Sequence, residues 1–351
     1  MKGEQFMREE GLYVKPTIYN VAKEAGVSIA TVSKVINHTG RISDKTRKKV
    51  FQTMDKLNYR PSVVASALTG KQTKTIGLLI PDISNPFFAE IARSIEDQSY
   101  ERGFNVMMCS TDNLTEKEER YLSLLVRQQI DGLIVASAFR CTKLLEDVVK
   151  EVPITLVASE IPKLSINTVT VDDYKGGYLA ASYLLSLGHT RIAIIAEGVR
   201  SNKPRVDAFR DVMEEANIPI RDGYMIKTEA LMTRGYESAK QLFSLKERPT
   251  AIFACNDLLA SGVVQAAKEA GLSIPQDVSI IGFDNTILST NTSPMLTTVA
   301  QPIKEMGAKV VDLLIEEMKE PKSHKERLLL SPELIVRQST DTYKEGYLIR
   351  K

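Results

Sequence analysis

The 351-residue chain has little of what catalytic and metal-binding proteins rely on: three cysteines and three histidines in all. Cys109, Cys141 and Cys255 are too far apart for a metal knuckle or a CxxC redox pair, and an odd number suits a reducing interior. His38, His189 and His324 show no metal-ligand spacing such as HExxH, and His189 reads as a helix-end or turn residue. No GxGxxG follows an apolar strand pattern and no GxSxG occurs. The adjacent acids Asp172-Asp173 and Glu118-Glu119 point apart on a strand or helix, so neither makes a facing acid/base dyad. No apolar run approaches the ~18 residues of a membrane span, and the opening MKGEQFMREEGLYVKPT lacks a signal-peptide core. The expectation is a soluble, cytoplasmic protein with no membrane partner, no cofactor, no metal and no catalytic residues.

What is present is enough apolar content for roughly two or three compact units, at 43% of 351 residues. The overall charge of +2 hides an asymmetry. Residues 1 to 75 hold 14 Lys or Arg against 6 Asp or Glu, while the remainder carries a net negative charge. A basic block can be a plain solvated face, but a basic head on an acidic body also suits a nucleic-acid partner, because cations displace phosphate counterions.

After a polar lead over residues 1–16, three short helical patterns follow. Thr17 can cap a helix through Ala25, Gly26 ends it, Ser28 caps a second, and Ser43 with Asp44 opens a third whose Val50, Met54 and Leu57 share a face. In the second helix Val32, Val35 and Ile36 form an inward stripe, leaving Ile29, Ala30, Ser33, Lys34 and Asn37 on the opposite face. Small, polar and cationic groups together suit a helix in the major groove, with Lys34 toward a guanine edge and Ile29 or Ala30 toward a thymine methyl. The pattern alone also fits any three-helix bundle with a polar face.

From Thr75 onward, strand candidates 76–80, 105–109, 132–136, 154–157, 168–171, 191–196, 251–254 and 279–283 alternate with helical patterns. These patterns cover 87–101, 117–128, 174–187, 206–217, 235–242, 258–270 and 303–318. Such alternation implies parallel sheets covered on both faces, and its length exceeds one core, so two such domains are expected. PDISNPFFAEI follows the first strand, at the sheet edge where ligands bind, with Asn85, Phe87 and Phe88 as candidates. Phe87 fits equally well as a core residue opening an amphipathic helix.

The runs VAKEAGVSIATVSKVIN, GRISDKTRKKV and LNYRPSVVASALTGK resemble the LacI/GalR repressor family, and the similarity extends over nearly the whole chain. The resemblance implies an all-α helix-turn-helix head plus an α/β periplasmic-binding-protein-like (type I) ligand domain of two doubly wound parallel-sheet subdomains. It divides the chain into a lead (1–16), a DNA-binding head (17–60), a hinge (61–74), an effector and dimerisation domain (75–342) and a tail (343–351). Within the large domain it implies an N-subdomain of about 75–174 and 300–328 and a C-subdomain of about 175–299 and 329–342. It assigns base contact to Ile29, Ala30 and Lys34, and phosphate or positioning contact to Thr17, Tyr19, Ser28, Thr31, Ser33 and Asn37. Leu68, in SVVASALTGK, matches the leucine that wedges into the central base step from a hinge helix.

Asn20 stands where an acid is commoner and Lys34 where arginine is commoner, which weakens a bidentate guanine contact. Arg205, Asn256, Asp284 and Gln301 match polar effector contacts, each expected just after a strand. Ser159-Glu160 replaces an Asp-Arg pair that grips sugar hydroxyls in many members.

The implied function is a transcription regulator, a homodimer on a pseudo-palindromic operator. Its effector would be a sugar, a phosphorylated metabolite, a base or a partner protein acting as corepressor. The alternative is a cytoplasmic solute-binding protein or sugar-processing enzyme with a basic docking module. Salt separates the two: a regulator making about six phosphate contacts loses roughly a thousandfold in duplex affinity between about 50 and 200 mM salt, whereas a docking module shows no such slope.

Overall fold

The computed structural model describes residues 16–37, 39–60, 72–136, 139, 142–199 and 201–344. The chain divides into two compact units at Thr73/Lys74.

In the first unit, helices α1 (Ile18–Ala25), α2 (Ile29–Ile36) and α3 (Asp44–Lys56) surround a core of Val21, Ala22, Ala25, Val32, Val35, Val50 and Met54. Gly26 ends α1 at φ +63°, with its own N–H and that of Val27 returning to Lys23 and Ala22 carbonyls, so the chain reverses into α2 within three residues. Ser28 and Ser43 accept the Thr31 and Thr46 amides at 3.1 and 3.3 Å, capping α2 and α3.

The second unit holds two six-stranded sheets. The first is built from β1 (Thr75–Ile80), β2 (Asn105–Ser110), β3 (Gly132–Val135), β4 (Ile154–Val157), β5 (Asn167–Val171) and β11 (Arg327–Leu330), in the order β11-β5-β4-β3-β1-β2, all parallel. The second contains β6 (Ile192–Glu197), β7 (Met225–Thr228), β8 (Ala251–Ala254), β9 (Ser279–Asp284), β10 (Thr297–Ala300) and β12 (Glu333–Ile335), in the order β12-β10-β9-β8-β6-β7. Only β12 runs antiparallel, against β10. Helices α4 (Pro86–Glu101), α5 (Thr115–Arg127), α6 (Thr142–Val148) and α12 (Ile303–Lys319) accompany the first sheet. The second carries α7 (Asp173–Ser186), α8 (Asn202–Glu215), α9 (Met232–Phe243), α10 (Asp257–Glu269) and the short α11 (Ile287–Asn291). Apolar clusters lie on both faces of each sheet, as strands buried on two sides require. No helix among the described residues is long and apolar enough to cross a membrane.

The structure extends the sequence expectation in places. Strands β7, β11 and β12 were absent from it because they are half-exposed, and β10 because TTVA reads as polar while its threonines are buried. Helix α8 starts at Asn202 rather than Val206, since Pro204 is tolerated in a first turn. The chain passes between the sheets after β5, after β10 and after β11. The return stretch in the first sheet therefore reaches Leu330 rather than 328, and α7, from Asp173, already packs against second-sheet strands. Tyr343, expected in the tail, donates its N–H to Leu187 at 2.8 Å. His189 is a buried strut, its ring nitrogens 3.0 Å from Thr250 Oγ1 and 3.1 Å from Ser279 Oγ.

Two devices fix the helices that flank the second sheet. At the start of α10, buried Asp257 accepts the Thr298 hydroxyl at 2.7 Å and the Thr286 amide at 2.7 Å, tying α10 to β10 and to the turn after β9. Burial pushes its carboxyl up to about 6, the hydrogen bonds from Thr298 and Thr286 opposing. The second device is a close helix approach: a Cβ on Gly177 of α7 would stand 2.5 Å from the Arg205 carbonyl oxygen and 2.7 Å from its Cα. Gly177→Ala must therefore push α7 from α8, costing about 1–3 kcal/mol in a urea-unfolding measurement.

Asp257 also sets a pH dependence. Ionising near 3.9 in the unfolded chain but near 6 when folded, it makes the native state the better proton binder between those values, so its contribution to stability falls as pH rises through that window. The stability difference between the native sequence and Asp257→Ala, followed by urea unfolding, is expected to shrink from pH 4 to pH 6 and then level off.

Candidate DNA-reading face and effector cleft

On the head, the positions expected to meet DNA fall into two groups. Tyr19 and Ile29 are large apolar side chains left 68% and 41% exposed, and Ala30 and Lys34 are exposed beside Ile29 on α2. The others are engaged locally. Thr17 donates its N–H and its hydroxyl to Asn20 Oδ1 at 2.9 and 2.6 Å, so the Asn20 amide oxygen serves as the capping acceptor. The Ser28 and Thr31 hydroxyls lie 2.9 Å apart, and Asn37 Nδ2 donates to the Ser33 carbonyl at 2.6 Å and to its hydroxyl at 3.1 Å. Leu68 lies outside the described residues.

In the second unit a cleft of about 970 Å³ opens at the carboxyl edges of both sheets. All seven expected effector residues line it: Asn85, Phe87, Phe88, Arg205, Asn256, Asp284 and Gln301. Their placement corrects the expectation of four residues just after strands. Asp284 is the last residue of β9, at φ +107°, and Arg205 sits in the first turn of α8, eight residues beyond β6. Asn256 and Gln301 do follow strands, β8 and the unforeseen β10. Asn85 caps α4, its Oδ1 accepting the Phe87 amide at 3.1 Å. Phe87 is buried in the first sheet's core and meets the half-buried Phe88 edge to face at 5.1 Å, so Phe87 backs the cleft wall while Phe88 offers the accessible ring.

Arg205 is buried and bonded on several sides. Its Nε donates to Asp173 Oδ1 at 2.8 Å, its second terminal nitrogen lies 2.7 Å from the same oxygen, and Nη1 donates to the Cys255 carbonyl at 2.5 Å. The guanidinium carbon stands 3.5 Å over the Phe283 ring centroid. A Cβ on Gly176 would fall 2.6 Å from that ring, so the adjacent glycines of α7 admit Phe283 and Arg205 side by side. Asp284 accepts Gln301 Nε2 at 2.7 Å, and Glu197 accepts Asn256 Nδ2. The Asn256 oxygen in turn accepts the Leu259 amide at 2.7 Å, capping α10.

Burial pushes the Asp284 carboxyl well above the usual range, against the pull of Arg205; Glu197 and Asp173 move up for the same reason. Burial opposes the Arg205 charge, but Asp173 and Asp284 outweigh it and hold the guanidinium protonated. Burial also pushes the Cys255 thiol up, which leaves it without nucleophilic character. Asp173 and Glu197 were not expected at the site. Glu197 ends a strand without any neighbouring motif, and Asp173 stands in an adjacent acid pair whose side chains point apart.

Residues 17–62 match the model of bacterial regulatory proteins of the lacI family, and residues 181–340 match that of a periplasmic binding protein-like domain. The chain is 49% identical over 333 residues to the HTH-type transcriptional regulator DegA of Bacillus subtilis (strain 168), with 93% of this chain and 98% of that protein covered. It is 38% identical to catabolite control protein A of Priestia megaterium over 92% of this chain and 99% of that protein. Among solved structures it resembles the lac repressor dimer bound to operator and the anti-inducer ONPF, with TM-score 0.83, 28% identity and coverage of 93% and 100%. A LacI-family regulator from Enterococcus faecium with bound ribose matches at TM-score 0.71 and 35% identity, covering 77% and 100%. The chain belongs to the LacI family of bacterial transcriptional regulators.

Proposed function

We propose that the chain represses or otherwise regulates transcription from the cytoplasm as a homodimer, without catalysing a reaction, under control of a ligand held in the cleft of its second unit. The observation that carries this reading is the exposed surface of α2. Ile29 and Ala30 are apolar groups at the start of a helix whose buried side is already satisfied by Val32 and Val35, and Lys34 adds the cation one turn along. A major groove gives such a face partners that water does not: thymine methyls for Ile29 and Ala30, and guanine N7 or O6 for Lys34. Thr17, Tyr19, Ser28, Thr31, Ser33 and Asn37 then meet phosphates and fix the register of α2. Two copies reading two half-sites give the operator its pseudo-palindromic form, with Leu68 of each hinge at the centre.

In the cleft, Arg205, Asn256, Asp284, Gln301 and Asn85 bind the polar groups of the effector and Phe88 covers its apolar face. Effector and operator change each other's affinity by one and the same factor, because the coupling is a single free energy.

Lys34→Ala is expected to relax discrimination at one base position by about 1–3 kcal/mol, visible as a changed motif in binding-site selection; the same motif from both proteins would defeat the assignment of α2. Leu68→Ala is expected to lower operator affinity and DNA bend angle together.

A further inference from the structure

The chemistry of the cleft narrows the ligand class, and this step rests on the reading of the cleft as the effector site. Among the described lining residues there are eight carboxylates, Asp82, Asp112, Glu160, Asp172, Asp173, Glu197, Glu229 and Asp284, and a single cation, Arg205. Three of the acids, Asp173, Glu197 and Asp284, surround Arg205 at the buried end, where one guanidinium cannot balance three carboxylates.

The hydrogen bonds point the same way. Arg205 Nε and Nη1, Asn256 Nδ2 and Gln301 Nε2 already donate to Asp173, the Cys255 carbonyl, Glu197 and Asp284; each amide nitrogen keeps a second N–H. Hydrogen bonds among the described residues engage one oxygen of each carboxylate, Oδ1 of Asp173, Oε1 of Glu197 and Oδ1 of Asp284, which leaves a second oxygen on each. The three buried acids thus keep anionic acceptors to offer a ligand. Glu160, Asp82 and Asp112 carry the acidic bias to the other side of the cleft.

We infer that the cleft selects a polyhydroxylated amine, a sugar-like ring bearing several hydroxyls and one protonated nitrogen, over its neutral counterpart and against phosphorylated or carboxylated metabolites. Hydroxyls donate to the remaining carboxylate oxygens, the ammonium balances part of the excess negative charge, and a phosphate brings further negative charge to a site where three acids surround one guanidinium. Burial raises all three buried carboxyls against the pull of Arg205, and a further cation beside them favours their charged form.

The test is calorimetric titration of the full-length chain with four ligands that share one ring: glucosamine, glucose, N-acetylglucosamine and glucose 6-phosphate. Glucosamine is expected to bind roughly tenfold or more tighter than glucose and N-acetylglucosamine, the increment of one ion pair in a partly solvated site, and the phosphate not at all. Glu197→Gln and Asp284→Asn keep the oxygens that accept from Asn256 and Gln301, so both are expected to reduce the preference for the amine while raising the thermal midpoint of the unliganded protein.

Tighter binding of glucose, its acetamide or its phosphate overturns the inference, as does absence of glucosamine binding at millimolar concentration. Asn256→Ala with Gln301→Ala separates the two readings. If a neutral or phosphorylated sugar binds and the double variant abolishes it, the cleft remains the effector site and only the charge argument falls. If binding persists in the double variant, the cleft itself is the wrong site.

Discussion

The second unit is organised around one buried guanidinium. Arg205 reaches from the first turn of α8 to the first residue of α7, to the carbonyl after β8 and to the ring near the end of β9. A charge in such a place is tolerated only when its donors are met, and each partner belongs to a different element. The demand propagates into the sequence: α7 must approach α8 without side chains at Gly176 and Gly177, and a ring must stand at Phe283. It also accounts for the acids, since Asp173 and Asp284 hold Arg205 charged while Arg205 keeps their own carboxyls from rising further. What holds the second sheet's edge together is therefore the same set of groups that faces the cleft.

The head is held by the opposite economy. Its three helices bury seven small or medium apolar side chains and rely on ends instead of bulk: the Thr17–Asn20 box, the Gly26 reversal, and the serine caps of α2 and α3. Each cap contributes about 1 kcal/mol, which matters in a unit with so little core. The arrangement leaves Ile29, Ala30 and Lys34 exposed on α2, outside the core that Val32 and Val35 complete.

Much of this was legible in the chain. Apolar periodicity and cap chemistry located the three head helices because their signals are local, and strands such as β8 and β9 stood out because burial on both faces demands continuous apolar runs. The edge strands β7, β11 and β12 carry weak patterns because half their side chains meet water, and β10 hides because its buried hydroxyls bond to Asp257, Arg337 and Thr340 rather than sitting in an apolar layer. At the site, positions attached to recognisable motifs were found, whereas Glu197 and Asp173 were not. Their significance arises from a shared cation that lies 8 residues from one and 32 from the other in sequence, a relation no local pattern encodes.

The two sheets meet across the cleft through few direct contacts, and that shapes how a ligand can act. The first sheet's side contributes Asn85, Phe88 and Glu160, the second contributes Arg205, Glu197, Asn256 and Asp284, and the crossover segments contribute Asp172 and Gln301. A ligand that touches both walls favours whichever arrangement lets it reach both, and it shifts the equilibrium by no more than that difference in affinity. Gln301 makes this coupling local. It sits in the crossover between β10 and α12, and its amide is bound to Asp284, so any group that competes for Asp284 acts directly on a segment joining the two sheets. Away from the cleft lining, the Ile287 N–H at the start of α11 donates to Glu90 Oε1 on α4 at 2.9 Å, a bond between the two halves. Being exposed, it contributes little to holding the two sheets together, so a ligand touching both walls does not have to overcome a strong tie.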